Sequence, residues 1–391
     1  MMNKMPPRRN LSRRDLLKIA SAGGAAAAGG YALYESAPWL DYEAQANHVR
    51  RPLERDSTLA TQMMGLIRYA TLAASSHNTQ PWKFVIRPDA IEIHPDYTRC
   101  LSVIDPGSRE LWISLGCALE NLLIAALAMG YAVDVTYPDA ADFIHVRLIA
   151  DGTQGSPLFD AIPLRQNTRS EYDGKPIKAS DLDPTQAIPL EPGVSLHWVL
   201  APAELKTVAD YVRQGDLGQY ADKDFVKELI YWLRFDKREA LASCAGLYSR
   251  CSGSPETPRW LGQMFVNGAK PQQQAEADIK KLLSSSGAVV VASTAEDKTA
   301  WVRTGQVYER MALTMTALNI KSAFLNQPIE VAGLRGPFQN AIGLGASHPQ
   351  LLIRFGYAAS MPRSLRRPVE QTLLPSQPEM LQRVSGSNGG L

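Results

Sequence analysis

The sequence of 391 residues has little of several features that would define a function by themselves. Its net charge is only +2, so it lacks the strongly basic character of nucleic-acid-binding domains. It has only four cysteines, Cys100, Cys117, Cys244 and Cys251, with no Cys-x-x-Cys pair and no metal-ligand spacing. We therefore expect no nucleic-acid partner and no metal site.

Long apolar runs are also absent after residue 46, because none reaches the ~18 residues that a membrane-spanning helix needs. Before that point the chain carries the paired arginines Arg13 and Arg14, followed by an Ala- and Gly-rich stretch from Leu16 to about Leu33. The stretch Ala44-Gln45-Ala46 has the small-x-small pattern of a cleavage site. These features resemble a twin-arginine export signal, which predicts that residues 1–46 lie outside the fold.

Such a signal implies that the twin-arginine export machinery is a partner and that the protein reaches a bacterial periplasm or cell envelope. That route exports proteins that are already folded, often with a cofactor inside. Two other interpretations stay open. The segment could form a basic amphipathic helix, or an uncleaved signal could anchor the protein in the membrane.

A repeat organises the rest of the chain. Trp112, Gly116 and Glu120 recur as Trp301, Gly305 and Glu309, at a constant offset of 189 residues. In both copies a long helical pattern is followed by an apolar run, a proline and a strand pattern. This order predicts a tandem duplication with an α+β fold, in which two central helices stack between two sheets and form a dimer-like pair within one chain. We expect a monomer.

The predicted halves differ in length. The first spans residues 47–155 and the second spans residues 156–374. The second contains a helical insertion at about residues 203–285, which either covers a site or forms an ordinary helical layer. Residues 375–391 are rich in Ser, Gly and Gln and predict a disordered tail.

Three polar segments carry the candidate chemistry. Residues 73–82 read AASSHNTQPW, and their hydrogen-bonding groups either form an ordinary turn or hold a polar ligand. Arg165 and Arg169 are four residues apart, so on a helical turn they would share a face that suits a phosphate, unless the face is simply solvated. In residues 326–330, NQPIE, the proline fixes the backbone so that the following amides could point at a ligand.

Together these segments resemble the FMN-dependent nitroreductase superfamily. The resemblance implies an FMN cofactor and assigns roles to residues of this sequence. Phosphate and ribityl contacts would come from Arg165, Gln166, Asn167 and Arg169, with Arg363 and Arg366 near the C-terminus as further phosphate partners. Ser75, Ser76 and Asn78 would face the ring system, and Ile329 and Glu330 would offer a backbone amide to flavin N5. His77 would contact the flavin edge or cap a turn.

Within the superfamily the sequence is similar to single-chain, Acg-type proteins. The shared stretches are HNTQPW, the run Ile104–Glu110 and the C-terminal PQLLIRFGY and RRP, and the resemblance covers roughly residues 55–375. The complete set of motifs occurs once, which predicts a single FMN site between the halves. Tyr137-Pro138-Asp139 stands where the other half has Gln327-Pro328-Ile329, so the second, symmetry-related site looks lost.

The resemblance implies an oxidoreductase that takes electrons from a small-molecule donor and reduces nitro or quinone acceptors through flavin N5. No protein acid or base is required, so no catalytic side chain is predicted. The alternative is an exported protein that binds or sequesters FMN under a lid, with little or no turnover.

Overall fold

The structure is a computed structural model that describes residues 41–55, 57–138, 142–152 and 155–375. The predictions for the signal up to residue 40 and for the tail from residue 376 lie outside the described residues. The part of the chain described contains two sheets of four antiparallel strands, a small two-stranded sheet and a dozen α-helices. The predicted α+β class is confirmed.

The first half contains three helices and four strands. They are α1 (Tyr42–His48), α2 (Leu59–Ala70), β1 (Trp82–Ile86), β2 (Ala90–Pro95), α3 (Arg109–Ala128), β3 (Tyr131–Thr136) and β4 (Ile144–Ala150).

The second half begins with α4 (Ala179–Gln186), β5 (Val194–Val199), α5 (Pro202–Ala221), α6 (Lys223–Trp232), β6 (Leu233–Arg234), α7 (Lys237–Ser243) and β7 (Leu247–Tyr248). It continues with α8 (Arg259–Asn267), α9 (Pro271–Leu283), β8 (Gly287–Ser293), α10 (Lys298–Ala317), β9 (Lys321–Phe324), α11 (Gln327–Glu330), α12 (Ala332–Ala341) and β10 (His348–Gly356).

The two large sheets have equivalent topology. In the first the strand order is β1-β2-β4-β3, and in the second it is β5-β8-β10-β9. Each sheet has its long helix, α3 or α10, between its second and third strands in the chain. This equivalence supports the interpretation of the repeat as a duplication.

The central helices α3 and α10 cross at the two glycines of the repeat. A Cβ atom on Gly116 would lie 2.0 Å from the carbonyl oxygen of Val302, and one on Gly305 would lie 2.0 Å from that of Ile113. Both pairs obey the same offset of 189 residues, so the contact is symmetric. Only glycine permits two helix backbones to approach this closely.

The helix α3 passes the length and composition test for a membrane span among the described residues. Our prediction that no apolar run after residue 46 is long enough was therefore wrong. The helix is nevertheless largely buried, because Leu115, Leu119 and Leu122 pack in the core between the sheets. Its hydrophobicity is explained by that position.

The boundary placed at residue 46 also needs correction. Helix α1 packs on the fold, with Tyr42 and Ala46 buried. The Tyr42 hydroxyl donates to the carbonyl of Arg363 at 2.8 Å, and its ring lies 4.7 Å from that of Tyr248. The Ala44-Gln45-Ala46 stretch is therefore helical and part of the folded protein, because an aromatic anchor precedes it.

The predicted insertion divides into two parts. Helices α5 and α9 pack on the second sheet through residues such as Val208, Val212 and Leu282, and form an ordinary helical layer. Residues 222–268, here called the covering segment, contain α6, β6, α7, β7 and α8. This segment leaves the layer and lies against the polar turn that precedes β1.

The C-terminal residues cross back to the first half. Leu373 pairs in parallel with Phe84 of β1, and the amide of Leu374 donates to the Phe84 carbonyl at 2.8 Å. The two halves are thus joined both at their central helices and at the edge of the first sheet.

Candidate functional site

Two adjoining cavities lie where the first half, the covering segment and the C-terminal run meet. The smaller cavity, of about 50 Å³, is lined by Ala74, Ser75, Asn78, Arg165, Gln166, Asn167, Arg169, Gly246, Leu247, Tyr248, Cys251, Pro362, Ser364 and Arg366. The larger, of about 410 Å³, is lined by residues that include His77, Arg169, Gln219, Phe225, Leu229, Leu247, Val266, Asp278, Phe324, Asn326, Gln327, Glu330 and Arg354. Arg169 and Leu247 line both.

The structure brings most of the predicted site residues together at these cavities. The residues that line neither cavity are Ser76, Ile329 and Arg363. Ser76 donates to Glu110, and Ile329 is buried in the core of the second half. Arg363 contributes its backbone carbonyl to Tyr42.

The segment from Arg165 to Arg169 is extended and not helical. Asn167 pairs with Ser322 of β9, and the Thr168 amide donates to the Ser322 carbonyl at 3.0 Å. In an extended chain alternate residues point the same way, which places Arg165, Asn167 and Arg169 on one side. Our prediction of a shared helical face was therefore wrong in geometry, although both arginines face one cavity.

Arg165 is held from several sides. Its Nε lies 2.7 Å from Oε1 of Glu309 on α10, and its Nη2 donates to the carbonyl of Leu72 at 3.0 Å. Both charged side chains are buried, with Glu309 fully so. Burial raises the pKa of Glu309, while the facing Arg165 opposes that shift. Glu309 also accepts from the Ala74 amide at 3.3 Å, so the ion pair ties both halves to the cavity wall.

The Arg366 guanidinium donates mainly to backbone carbonyls. It donates to the carbonyls of Thr71, Leu72 and Ala73 at 2.7, 3.1 and 3.1 Å, and to Oδ1 of Asn78 at 3.1 Å. Arg366 therefore fixes the end of α2 and the polar turn. It lines the small cavity as a fixed positive charge.

Positive charge around the small cavity exceeds negative charge. Burial, followed by the charges of Arg50 and Arg165, lowers the pKa of Arg366 to about 9. Burial and the nearby Arg363 lower that of Arg50 to about 10. Glu309 is the carboxylate that faces these groups, and it is paired with Arg165. A buried excess of this kind favours an anion.

Arg169 differs from the other arginines of the site. No hydrogen bond or ion pair to its guanidinium is found among the described residues, although it lies between the two cavities and burial lowers its pKa. A guanidinium has five N–H donors in a fixed fork, and burying donors without hydrogen-bond partners costs free energy. Arg169 is thus the arginine of the site whose donors are open to a ligand.

The turn after α2 is strained. His77, Asn78 and Gln80 all have positive φ values, of 48°, 51° and 53°. Such conformations are uncommon in residues other than glycine and cluster at functional sites. Burial and the nearby Arg169 lower the pKa of His77 to about 4, so its ring is neutral at pH 7.

The covering segment keeps this turn in place. Asn78 donates from its side chain to the carbonyl of Gly246 at 3.1 Å, and its own carbonyl accepts from the Gly246 amide at 3.0 Å. Gln80 donates to the carbonyl of Cys244 at 2.8 Å. The side chain of Asn78 also donates to the Leu365 carbonyl, so it holds three segments together while it lines the small cavity.

The residues after β9 form one helical turn, α11. The amides of Ile329 and Glu330 both donate to the carbonyl of Asn326, at 2.8 and 2.9 Å. The prediction that they offer an amide to a ligand was wrong, because the segment coils back on Asn326. The Glu330 side chain lines the large cavity and accepts from Gln219 at 2.6 Å. Burial and then Glu110 raise its pKa well above the usual value.

Several site residues were not predicted from the sequence. Gly246, Tyr248 and Cys251 of the covering segment line the small cavity, and Arg50 stands behind Arg366. Only the Arg50-Arg51 pair gave a signal, and a basic pair is too common to single out a site. The four cysteines are free, and no group of three potential metal ligands is found among the described residues.

Known proteins named nitroreductases resemble the chain in sequence. No family model matches the chain. A protein of Mycobacterium tuberculosis named NAD(P)H nitroreductase is 28% identical over 322 residues, covering 79% of this chain and 90% of the relative. Another from that organism, named NAD(P)H nitroreductase acg, is 25% identical over 349 residues, covering 81% of this chain and 96% of the relative. The predicted resemblance to the nitroreductase superfamily and to its Acg-type members is confirmed.

Solved structures resemble the chain only distantly. A nitroreductase-like protein from Anabaena variabilis has a TM-score of 0.40 and 8% identity, covering 81% of this chain and 91% of its own. A nitroreductase with bound FMN from Bacteroides fragilis has a TM-score of 0.31 and 17% identity, covering 60% of this chain and 99% of its own. Scores this low add nothing to the sequence relationship.

Proposed function

We propose that this chain binds one FMN in the two adjoining cavities and is an oxidoreductase of the nitroreductase type. The observation that carries the proposal is Arg169, a guanidinium without a protein partner among the described residues, at the junction of a small basic cavity and a larger one. A phosphate fits the basic cavity because the planar guanidinium fork of arginine can donate two hydrogen bonds to the oxygens of a multiply charged oxyanion. The larger cavity then takes the ring system.

Each residue near the cavities has a distinct task in this proposal. Arg169 binds the phosphate directly, and Arg165 and Arg366 supply positive charge that protein groups already hold in position. Gln166 donates to the Met361 carbonyl at 2.9 Å and accepts from the Met361 amide at 2.7 Å, which fixes the C-terminal run beside the phosphate.

FMN, when bound, would supply hydride and electron transfer between a nicotinamide-type donor and a nitro or quinone acceptor. The chain orients it and controls the surroundings. His77 presents a neutral ring to the large cavity. Burial, followed by the charge of Glu110, raises the pKa of Glu330 and so favours the protonated form of this carboxyl on the cavity wall. The covering segment limits the entry of water.

The absorption spectrum of the purified protein tests the proposal. We expect flavin bands at about one FMN per chain, and we expect Arg169→Ala to lose FMN on dialysis, since a charge-assisted hydrogen bond contributes about 1.5–3 kcal/mol. Arg147→Ala is the matched control, because Arg147 is 51% exposed and its ion-pair partner within the described part of the chain is Asp134. A colourless wild type that ignores added FMN would refute the proposal, as would equal retention by both variants.

A second function is favoured by the covering segment. It contributes Phe225, Leu229 and Val266 to the large cavity and would close over a bound ring. An FMN-binding or sequestering protein with little turnover is therefore the alternative. Steady-state quinone or nitro reduction with NADPH distinguishes the two, and slow stopped-flow reoxidation of the reduced flavin by small acceptors would favour the alternative.

We also propose that the chain is exported by the twin-arginine machinery to the periplasm or envelope, on the basis of Arg13, Arg14 and the segment that follows. The periplasm has little NAD(P)H, so an exported enzyme would use another small-molecule donor. Replacing Arg13 and Arg14 by lysine should keep the protein in the cytoplasm, as cell fractionation would report. Unchanged fractionation would refute export by this route.

We infer that one chain suffices for the site, since both halves supply residues to the cavities. Light scattering after gel filtration should give the mass of a monomer with full FMN content. A dimer mass, with FMN content that follows the dimer fraction, would instead indicate that two chains are needed.

A further inference from the structure

Four large apolar side chains lie on the outer surface of the covering segment. Tyr231 and Trp260 are each 68% exposed, Phe265 is 61% exposed and Met264 is 56% exposed. Single exposed apolar residues are normal, but a group on neighbouring helices indicates an interaction site.

The two helices that carry these side chains, α6 and α8, pack against each other. The Arg259 guanidinium, at the start of α8, donates to the carbonyls of Ile230 and Leu233 at the end of α6, at 3.2 and 3.4 Å. That contact joins the start of α8, where Trp260 lies, to the end of α6, where Tyr231 lies. Trp260 and Met264 are four residues apart on α8, so they share a helix face.

Basic residues border this surface. On α6, Lys223, Lys227 and Tyr231 are all exposed and lie four residues apart on one stripe. The stretch from residue 259 to residue 271 contains Arg259 and Lys270 and no acidic residue. Arg259 pairs with Glu239 of α7 at 3.0 Å, so Lys270 is the basic group that this stretch adds to the surface. Asp224 pairs with Lys227 at 2.7 Å.

The neighbouring acid on α6 faces away from this surface. Glu228 accepts from the backbone amides of Val103 and Ile104, both at 3.1 Å. The outer surface therefore combines aromatic and thioether groups with lysines.

The N-terminal part of the chain joins the fold beside this segment. Helix α1 begins at Tyr42 after its N-cap Asp41, and it packs on α7 and β7, where Tyr42 contacts Tyr248 and Cys251. The paired arginines and the Ala- and Gly-rich stretch thus precede a helix that is attached to the covering segment.

We propose that the outer surface of the covering segment docks on a membrane that contains anionic phospholipid. Aromatic and Met side chains with lysines at their border suit the headgroup region, where apolar groups enter and ammonium groups meet phosphates. A second copy of the chain fits less well, because a stable dimer buries about 800 Å² per partner and four side chains provide only part of that area.

Fluorescence of the full-length protein with vesicles of phosphatidylglycerol and phosphatidylcholine tests the proposal. The acyl chains carry bromine, which quenches tryptophan at short range. Wild type should lose more emission than Trp260→Phe, because Trp260 enters the lipid. Equal loss in the two proteins would overturn the proposal, whatever the N-terminal segment contributes to binding.

Vesicle binding by paired substitutions gives an independent readout. Trp260→Ser with Phe265→Ser should weaken binding to anionic vesicles on the order of tenfold, since aromatic side chains supply much of interfacial affinity. Leu59→Ser with Leu164→Ser is the control, because both residues are exposed on other parts of the fold. FMN content should not change in either pair, which separates this proposal from the one on the cofactor.

Two results would overturn docking on lipid. One is unchanged vesicle binding by the Trp260 and Phe265 pair. The other is a concentration-dependent dimer without vesicles that the same pair abolishes, which would assign the surface to a second copy.

Discussion

At the residue level, the buried pair of Arg165 and Glu309 links the cavity to the packing of the halves. Removing one partner leaves an uncompensated buried charge, so Arg165→Ala should lower the free energy of unfolding by about 3–5 kcal/mol. Urea denaturation measures this. Arg147→Ala, which breaks the exposed pair with Asp134, should cost less than about 1 kcal/mol. Equal losses would show that Glu309 is not stabilised by Arg165.

Asp216 on α5 gives a pH-dependent prediction. Burial and then Asp278 raise its pKa from 3.8 to about 7. Because the folded-state pKa is raised, the stability it contributes is complete below about pH 4 and is lost as the pH rises through 7. Asp216→Asn cannot ionise, so it should stabilise the protein at pH 8 by on the order of 2–4 kcal/mol, and much less at pH 4.

The contact of Asp216 with Gln327 can survive this substitution. Gln327 Nε2 donates to Asp216 Oδ1 at 3.2 Å, and an asparagine oxygen can accept in the same way. Urea denaturation at pH 4, 6 and 8 checks the prediction. A gain that is the same at every pH would mean that the carboxyl does not titrate in this range.

The sequence predicted which residues line the site better than it predicted the contacts that those residues make. The sequence identified Arg165 and Arg169 as a pair facing one ligand, and both line the small cavity. It could not reveal that Glu309 forms an ion pair with Arg165, or that Asn78 donates a hydrogen bond to Gly246 of the covering segment. Those contacts join positions far apart in the chain, and no local pattern encodes them.

At the level of elements, the crossing of α3 and α10 depends on two glycines. Gly305→Ala would put a Cβ 2.0 Å from the Ile113 carbonyl, so the helices must separate and the protein should lose several kcal/mol or fail to fold. Gly333→Ala, in α12, is the control because nothing lies within 4 Å of its Cβ position. It should be neutral or stabilising by about 0.5–1 kcal/mol. The thermal unfolding temperatures of both variants test this prediction.

The long helices and the strands were predicted well because their apolar patterns are strong. The long helical pattern that contains Trp112 is Arg109–Ala128, and the one that contains Trp301 is Lys298–Ala317. The helix α8 was missed, since its pattern is short and its apolar residues face outward. Its exposed Trp260 and Phe265 do not follow the rule that large apolar residues are buried.

At the level of the whole molecule, α1 decides where the folded protein begins. A chain that starts at Asp41 keeps the contacts of Tyr42 with Arg363, whereas a chain that starts at Asn47 loses them. Burial of one large side chain contributes about 1.5–3 kcal/mol, so the shorter chain should be less stable by that amount. Urea denaturation of the two chains tests this. Identical stability would mean that α1 adds nothing to the fold.

The return of the C-terminal run to the first sheet has a consequence for synthesis. Phe84 of β1 receives its partners, Leu373 and Leu374, only after residue 374 has been translated. The first half therefore waits on the ribosome with an open sheet edge, although it is made early. Any product that stops before residue 373 lacks this strand pairing and keeps an unpaired edge at β1.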